Sequence, residues 1–288
     1  MIARESARGD DSVLVVKIGG GAEIDQETVC RDLANQWSKR SVVVLHGASK
    51  ELDRISTALN HPPVRLTSSS GIESRFTDDA TMTIFNMVYA GSANISWVES
   101  LQRCGVAAVG LSGVDGGLLR GPEKGVLRSR LGEDRVQLHR GDRSGRVTAV
   151  NVELLRLLLG ARYLPTISPP ALSDLGRSMN VDADRAAAQI AIALGATTLV
   201  FLSDVPGLLL DPDQTRSLVA DVRRHQIPRA MEMARGRMRT KVLAAKEALQ
   251  GGVRRVVLAD GRIPRPVEMA CLGQGTVFRR NGVSRSTG

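Results

Sequence analysis

Three charged side chains stand where they could handle a phosphoryl group. Lys17 lies near the end of Val13-Leu14-Val15-Val16-Lys17-Ile18 and shortly before Gly19-Gly20-Gly21. Five of those first six residues are apolar and four are β-branched, which predicts a strand buried on both faces of a parallel sheet. The glycines let the backbone turn sharply and bring N–H groups close to a ligand. Open α/β sheets hold ligands at the carboxyl ends of their strands. A lysine beside bare amides at that place suits an anion, phosphate above all. The plain alternative is a βα turn that happens to carry a lysine, and this stretch alone does not separate the two.

Two further stretches add to it. Asn180-Val181-Asp182-Ala183-Asp184 opens a predicted helix, with Asn180 as its N-cap and Asp184 about one turn later. Asn and Asp are also simply common in first helical turns. Gly236-Arg237-Met238-Arg239-Thr240-Lys241 carries a lysine on a predicted helix; on its own it reads as a solvated basic face.

The elements that must position these residues alternate. Strands are predicted at 13–18, 41–45, 106–110, 163–168, 197–202, 253–259 and 275–280. Helices are predicted at 25–39, 49–59, 77–104 (capped by Thr77), 151–159 (capped by Asn151), 181–194 and 229–250. Thr67 to Gly71 reads as a polar loop, and Pro169-Pro170 as a turn of the chain. Glycine turns after residues 16, 45 and 110 are expected at one rim. This order predicts an α/β fold, a three-layer α/β/α doubly wound, mostly parallel sheet. Residues 125–140 interrupt it: two alternating runs around Leu131-Gly132-Glu133-Asp134 predict an antiparallel β-hairpin.

Composition narrows the class. The chain has 288 residues and 42% hydrophobic content, enough for a core. No apolar run reaches about 18 residues, so no membrane span is expected. The polar N-terminus lacks a signal-peptide core, and a cytoplasmic location is expected. Cys30, Cys104 and Cys271 are odd in number and far apart, which argues for free thiols and against a zinc site; no protein-held metal is expected. The net charge is +9, with 33 Arg against 6 Lys, and implies an acidic partner. At 3% aromatic residues there is little for bases to stack on, so nucleic acid is not the expected partner. The P-loop pattern Gly-x-x-x-x-Gly-Lys-Ser/Thr is absent, and the dinucleotide Gly-x-Gly-x-x-Gly spacing is not met after the first strand.

Lys17-Ile18-Gly19-Gly20, the turn at Gly47, Asn180-x-x-x-Asp184, Ser203-Asp204-Val205-Pro206-Gly207-Leu208 and Gly236-x-Met238-x-x-Lys241 occur in one order. In that order they resemble the amino acid kinase family, and within it the acetylglutamate kinase branch, over residues 12–280. The resemblance implies transfer of the γ-phosphoryl of ATP, with Mg2+, to a side-chain carboxylate. It implies Lys17 and Lys241 as the cations on the transferring group and Asp184 as the residue that orients both. Gly47, Ala48, Arg75 and Asn180 would bind the substrate, the last two at its α-carboxylate. Gly19, Gly20, Ser203, Asp204, Gly207 and Leu208 would lie along the nucleotide. Two lobes are implied: residues 1–195 for substrate and dimerisation, and 196–288 for the nucleotide. A homodimer is implied, with the 77–104 helix as one interface.

This chain departs from the acetylglutamate pattern at several places. Gly47-Ala48-Ser49 stands for three glycines, Glu73-Ser74-Arg75-Phe76-Thr77 for Gly-Leu-Arg-Val-Thr, and Arg237 for a glycine. From Arg120 to Arg146 there are eight basic and four acidic residues where the branch carries acidic residues and an aromatic. The variants resemble the branch that acts in lysine biosynthesis on 2-aminoadipate. There the α-amine is attached to a small acidic amino-group carrier protein, LysW. A free amine would attack the acyl phosphate and cyclise it, so the amine must be blocked. Arg120, Lys124, Arg128, Arg130, Arg140, Arg143 and Arg146 are then the expected docking residues for that carrier. The alternatives are a plain N-acetylglutamate kinase of arginine biosynthesis, a kinase that also uses carrier-bound glutamate, or a non-catalytic basic nucleic-acid-binding member of the fold. Feedback by arginine goes with an extra N-terminal helix, and twelve polar residues are too few for one, so none is expected.

Overall fold

The computed structural model describes residues 12–21, 23–67, 73–131 and 135–280, with only the backbone of 130, 131 and 135. The hairpin turn at 132–134 and all but Thr67 of the loop expected at 67–71 lie outside the described residues. Thr67 itself ends the short strand Arg65–Thr67, which pairs with Glu73–Arg75.

The strand Val13–Ile18 is central. It runs parallel to Ser41–His46 on one side and to Thr198–Ser203 on the other, with Lys17 opposite Leu45 and Phe201. Arg255–Asp260 continues the parallel order beyond Thr198–Ser203, and Leu164–Ser173 continues it beyond Ser41–His46. Side chains alternate across a strand. Leu14, Val16 and Ile18 pack under Gln26–Lys39, Asn94–Arg103 and Pro266–Leu272. Val15 packs on the opposite face, with Val152–Gly160, Ala183–Leu194 and Gly236–Gln250. Lys17 therefore shares its face with the helices that begin near Asp184 and Lys241. The architecture is the three-layer, mostly parallel α/β/α sheet that the alternation implies.

Several boundaries differ from expectation, each for a visible reason. The helix expected from 77 is capped by Asp78, whose carboxylate accepts from Thr81 N at 2.7 Å. Thr77 is buried elsewhere, its own N–H donating to Asp142. The helix is also not uniform: Asp79–Asn86 passes into a π-helical segment, Met87–Ala93, before Asn94–Arg103. Asn180 is not an N-cap but lies in the strand Ser178–Val181; Asp182 caps the helix Ala183–Leu194 by accepting from Arg185 N at 2.9 Å. The third strand is Ala108–Gly113. Pro169 and Pro170 do not turn the chain. They lie inside Leu164–Ser173, where pairing with Ala108–Ser112 ends and pairing with Met179 begins, so their missing N–H groups are not demanded by a ladder. The helical stretch expected at 229–250 is two helices, Ile227–Met233 and Gly236–Gln250; Gly236, at φ +49°, starts the second.

The predicted hairpin is present as Glu123–Leu131 and Arg135–Gly145. It extends the sheet through Ser178–Val181, with Asn180 opposite Ser144.

Candidate functional site

The turns after the first two strands interlock. A Cβ added at Gly20 would sit 2.5 Å from the amide nitrogen of Ser49, and one at Gly47 would sit 2.8 Å from that of Gly20. Only glycine allows this approach. A cavity of about 880 Å³ opens over the two turns. The third glycine turn, after residue 110, does not reach it. Its strand lies beyond Leu164–Ser173, and Gly113 packs against Pro170 and Leu119.

At the middle of the cavity Asp184 lies between two lysines. Lys241 Nζ donates to its Oδ2 at 2.9 Å. Lys17 Nζ stands 2.7 Å from Oδ1, an ion pair that lies off the hydrogen-bond direction. Each of the three residues is less than a tenth exposed. Burial opposes charge on Asp184, yet the two ammonium groups outweigh it and hold the carboxyl well below the usual range. Burial pushes the pKa of Lys241 down and Asp184 works against that. Two cations and one anion are thus held together, buried, in the wall of the cavity. Fixed cations in a low-dielectric site stabilise developing phosphoryl charge without reorganising.

Gly19, Gly20, Ser203, Asp204, Gly207 and Leu208 line the cavity on one side. Ser203 Oγ is turned inward to the carbonyls of Val205 and Ala259. Leu208 N donates to Thr276 Oγ1 at 2.8 Å, while Asp204 is exposed. Gly47, Arg75 and Asn180 line the other side. Arg75 is ion-paired with Asp53, and its Nη1 is buried without a partner. Asn180 Nδ2 donates to Thr77 Oγ1 at 3.0 Å. Ala48 is buried but does not line the cavity.

The predicted docking residues are not one group. Lys124 lines the cavity mouth. Arg128 and Arg140 are exposed on the hairpin, opposite Leu138 and Val126 respectively. Of Arg130 only the backbone belongs to the described residues. Arg120 and Arg146 are exposed but flank the hairpin; Arg120 belongs to the separate strand Leu119–Gly121. Arg143 is engaged within the fold, ion-paired to Asp79 at 2.8 Å and donating to the Ser178 carbonyl.

Sequence reasoning missed a second set. Asp142, fully buried, accepts from Thr77 N at 3.1 Å and from Ser144 Oγ, and Arg143 N donates to the Thr77 carbonyl at 2.7 Å. This fastens the hairpin to Thr77 and, through it, to Asn180. An acid set between Arg140 and Arg143 was the one signal for it. Arg185, next to Asp184, forms a bidentate pair with Glu247 and ties the two helices of the lysine–aspartate group together. Phe85 and Tyr89 also line the cavity. His46 is fully buried beside Gly47; Asn94 Nδ2 donates to its Nε2 and to the Thr166 carbonyl, each at 3.0 Å. Burial pulls its pKa down to about 3, so it stays neutral. Among the described residues no group of three or more His, Cys, Asp or Glu side chains is placed to hold a metal, and no helix is long and apolar enough to cross a membrane.

Known proteins are similar in both sequence and structure. A "[LysW]-aminoadipate kinase" of Deinococcus radiodurans is 48% identical over 92% of this chain and 91% of its own. A protein of the same description from Thermus thermophilus is 45% identical over 93% of this chain and 100% of its own. An acetylglutamate kinase of Clostridium beijerinckii is 33% identical over 88% and 86%. Carbamate kinase from Giardia lamblia, solved with AMP-PNP, superposes with a TM-score of 0.64 at 13% identity over 94% of this chain and 99% of its own, a likeness of fold alone. The profile of the amino acid kinase family matches residues 12–260, and the chain belongs to that family.

Proposed function

We infer that this chain phosphorylates the side-chain carboxylate of 2-aminoadipate, attached through its α-amine to an acidic amino-group carrier protein of the LysW kind, in lysine biosynthesis. The observation that carries the reading is one continuous cavity with the Lys17–Asp184–Lys241 group at its middle. On one side lie glycine amides and 203–208, suited to ATP. On the other lie Arg75 and Asn180, with the basic hairpin at the mouth. A mouth lined by Lys124 leaves room for a substrate that remains tethered to a protein. The two relatives with 48% and 45% identity carry the name of that activity.

The mechanism follows from the charges. The acceptor carboxylate is ionised at neutral pH and needs no base. Its oxygen bonds to the γ-phosphorus of ATP as the bond from that phosphorus to the β–γ bridging oxygen breaks, and ADP leaves. Mg2+ brought by ATP would add positive charge against the phosphates, and no side chain of this site is required to hold it. Lys17 meets the transferring group from the first strand and Lys241 from the nucleotide side. Asp184 pairs with both ammonium groups and holds them in place. Positioning and charge cancellation are what phosphoryl transfer requires. Residues 1–195 then serve substrate and 196–288 serve ATP. A homodimer would form across the 79–103 segment, where Met87 and Ile95 are each 57% exposed. The three free cysteines fit a reducing cytoplasm.

ADP release measured side by side with carrier-linked 2-aminoadipate, carrier-linked glutamate and free N-acetylglutamate tests the reading. The first is expected to turn over best. Turnover of the free acetyl compound alone would overturn it.

A further inference from the structure

The acceptor side of the cavity holds an aromatic pair. Phe85 lies in the last turn of the helix Asp79–Asn86 and Tyr89 inside the π-helical segment Met87–Ala93. Both line the cavity, and both are less than a tenth exposed. Their rings stack with centroids 4.2 Å apart and planes 15° apart. A π turn is rare in proteins and recurs at functional sites. Here it carries Tyr89 under the substrate side of the cavity, where Phe85 fixes the ring plane.

Burial raises the pKa of Tyr89 and keeps its hydroxyl protonated, and Arg75 and Asp53 are among the charges around it. A protonated phenol has its own proton to donate. Close by, the Arg75 side chain is only 8% exposed and its Nη1 has no acceptor although Asp53 pairs with Nη2. A buried donor left without a partner is costly unless a ligand completes it. Two donors, one cationic and one neutral, are therefore unmatched at the same end of the cavity.

We propose that Tyr89 is a substrate-binding residue whose O–H donates to the acceptor's α-carboxylate, beside the oxygen taken by Arg75 Nη1. The inference rests on the reading that this end of the cavity takes the acceptor. Because the stacked Phe85 holds the ring, little ordering remains for the substrate to impose.

Tyr89→Phe removes one oxygen and keeps the stacked ring. KM for the acceptor is expected to rise about tenfold, the lower range for a hydrogen bond to a charged group. KM for ATP and the Tm are expected to stay at wild-type values. An acceptor KM within about twofold of wild type overturns the proposal. So does a parallel rise in both KM values with a fall in Tm, which is what a packing role alone would give. The assay is run with carrier-linked 2-aminoadipate and with N-acetylglutamate, which present the same α-carboxylate. If wild type uses only the second, the substrate reading fails while the Tyr89 measurement still decides. If wild type uses neither, both fall together.

Discussion

At the rim of the sheet, Lys17 and Lys241 share one carboxylate, and all three side chains are at most 10% exposed. On the hairpin, Arg128 and Arg140 stand at the surface with an aliphatic residue opposite each. Both regions are basic, but the physics differs. Buried charges interact strongly, are little screened, and cannot be removed singly without leaving a partner uncompensated. Surface charges act weakly, at longer range and in sum, and salt screens them. The buried group is suited to acting on bonds, and the surface group to steering a partner. The two are joined at the hairpin's base, where Ser144 pairs with Asn180 across the sheet and Asp142 and Asn180 both bond to Thr77.

That contrast can be broken at either end, and the buried end has the larger effect. Lys17→Ala is expected to lower kcat by about 10³-fold or more, as loss of a fixed transition-state charge does, with the fold retained by circular dichroism. Turnover near wild type would contradict its role. Asp184→Asn leaves two buried cations without their anion. Turnover should fall comparably and stability by about 3–5 kcal/mol, measured by urea unfolding. On the hairpin, Arg128→Glu with Arg140→Glu should raise KM for the carrier-linked substrate about tenfold at low salt. The difference from wild type should narrow as salt rises, while KM for ATP is unchanged. A KM within twofold would show that docking lies elsewhere. Arg143→Ala sharpens the same division from within the arginine run. It should cost about 1–3 kcal/mol of stability through its lost contacts to Asp79 and Ser178, with no change in the salt dependence of KM.

The smallest effect on turnover concerns His46. Its pKa in the fold, about 3, lies below the unfolded value near 6.5. The unfolded chain thus takes up the proton first as pH falls. The stability gained from keeping His46 neutral is complete above about pH 6.5 and is lost between there and about pH 3, by up to roughly 5 kcal/mol. His46→Gln should flatten that acid limb in unfolding measurements at pH 7 and pH 4.5. An unchanged slope would show that other groups set it.

The buried group was legible because its chemistry is local in sequence. A lysine near the end of an apolar strand, three glycines after it, and a second lysine on a basic helix each leave a short pattern. The sheet then collects them, since Lys17 must face the same side as Val15. What did not show was decided by tertiary partners. Thr77 and Asp78 are both competent caps, as are Asn180 and Asp182. Asp78 and Asp182 took the role because Thr77 and Asn180 are held by each other and by Asp142. The prolines at 169 and 170 announce a turn by every local rule, yet a strand that changes partners there has no use for their N–H groups. Arg143 looked like its neighbours until Asp79 and Ser178, far away in sequence, were found beside it. The aromatic pair was hidden by a helical period that the π segment breaks.

That π segment also bears on how the chain tolerates change. In an α-helix, inserting or deleting one residue rotates everything downstream by about 100°. A wide turn stores one surplus residue as a local loosening instead. On one side of Met87–Ala93 is Phe85; on the other is Asn94, bonded to His46 and Thr166. Deleting a single residue between them would let the segment rewind as ordinary α-helix. Asn94 could then keep its phase against the sheet while the stack of Tyr89 on Phe85 in the cavity wall was lost. Among the described residues, this is a place where a length change of one could alter what the cavity recognises and leave the scaffold in step.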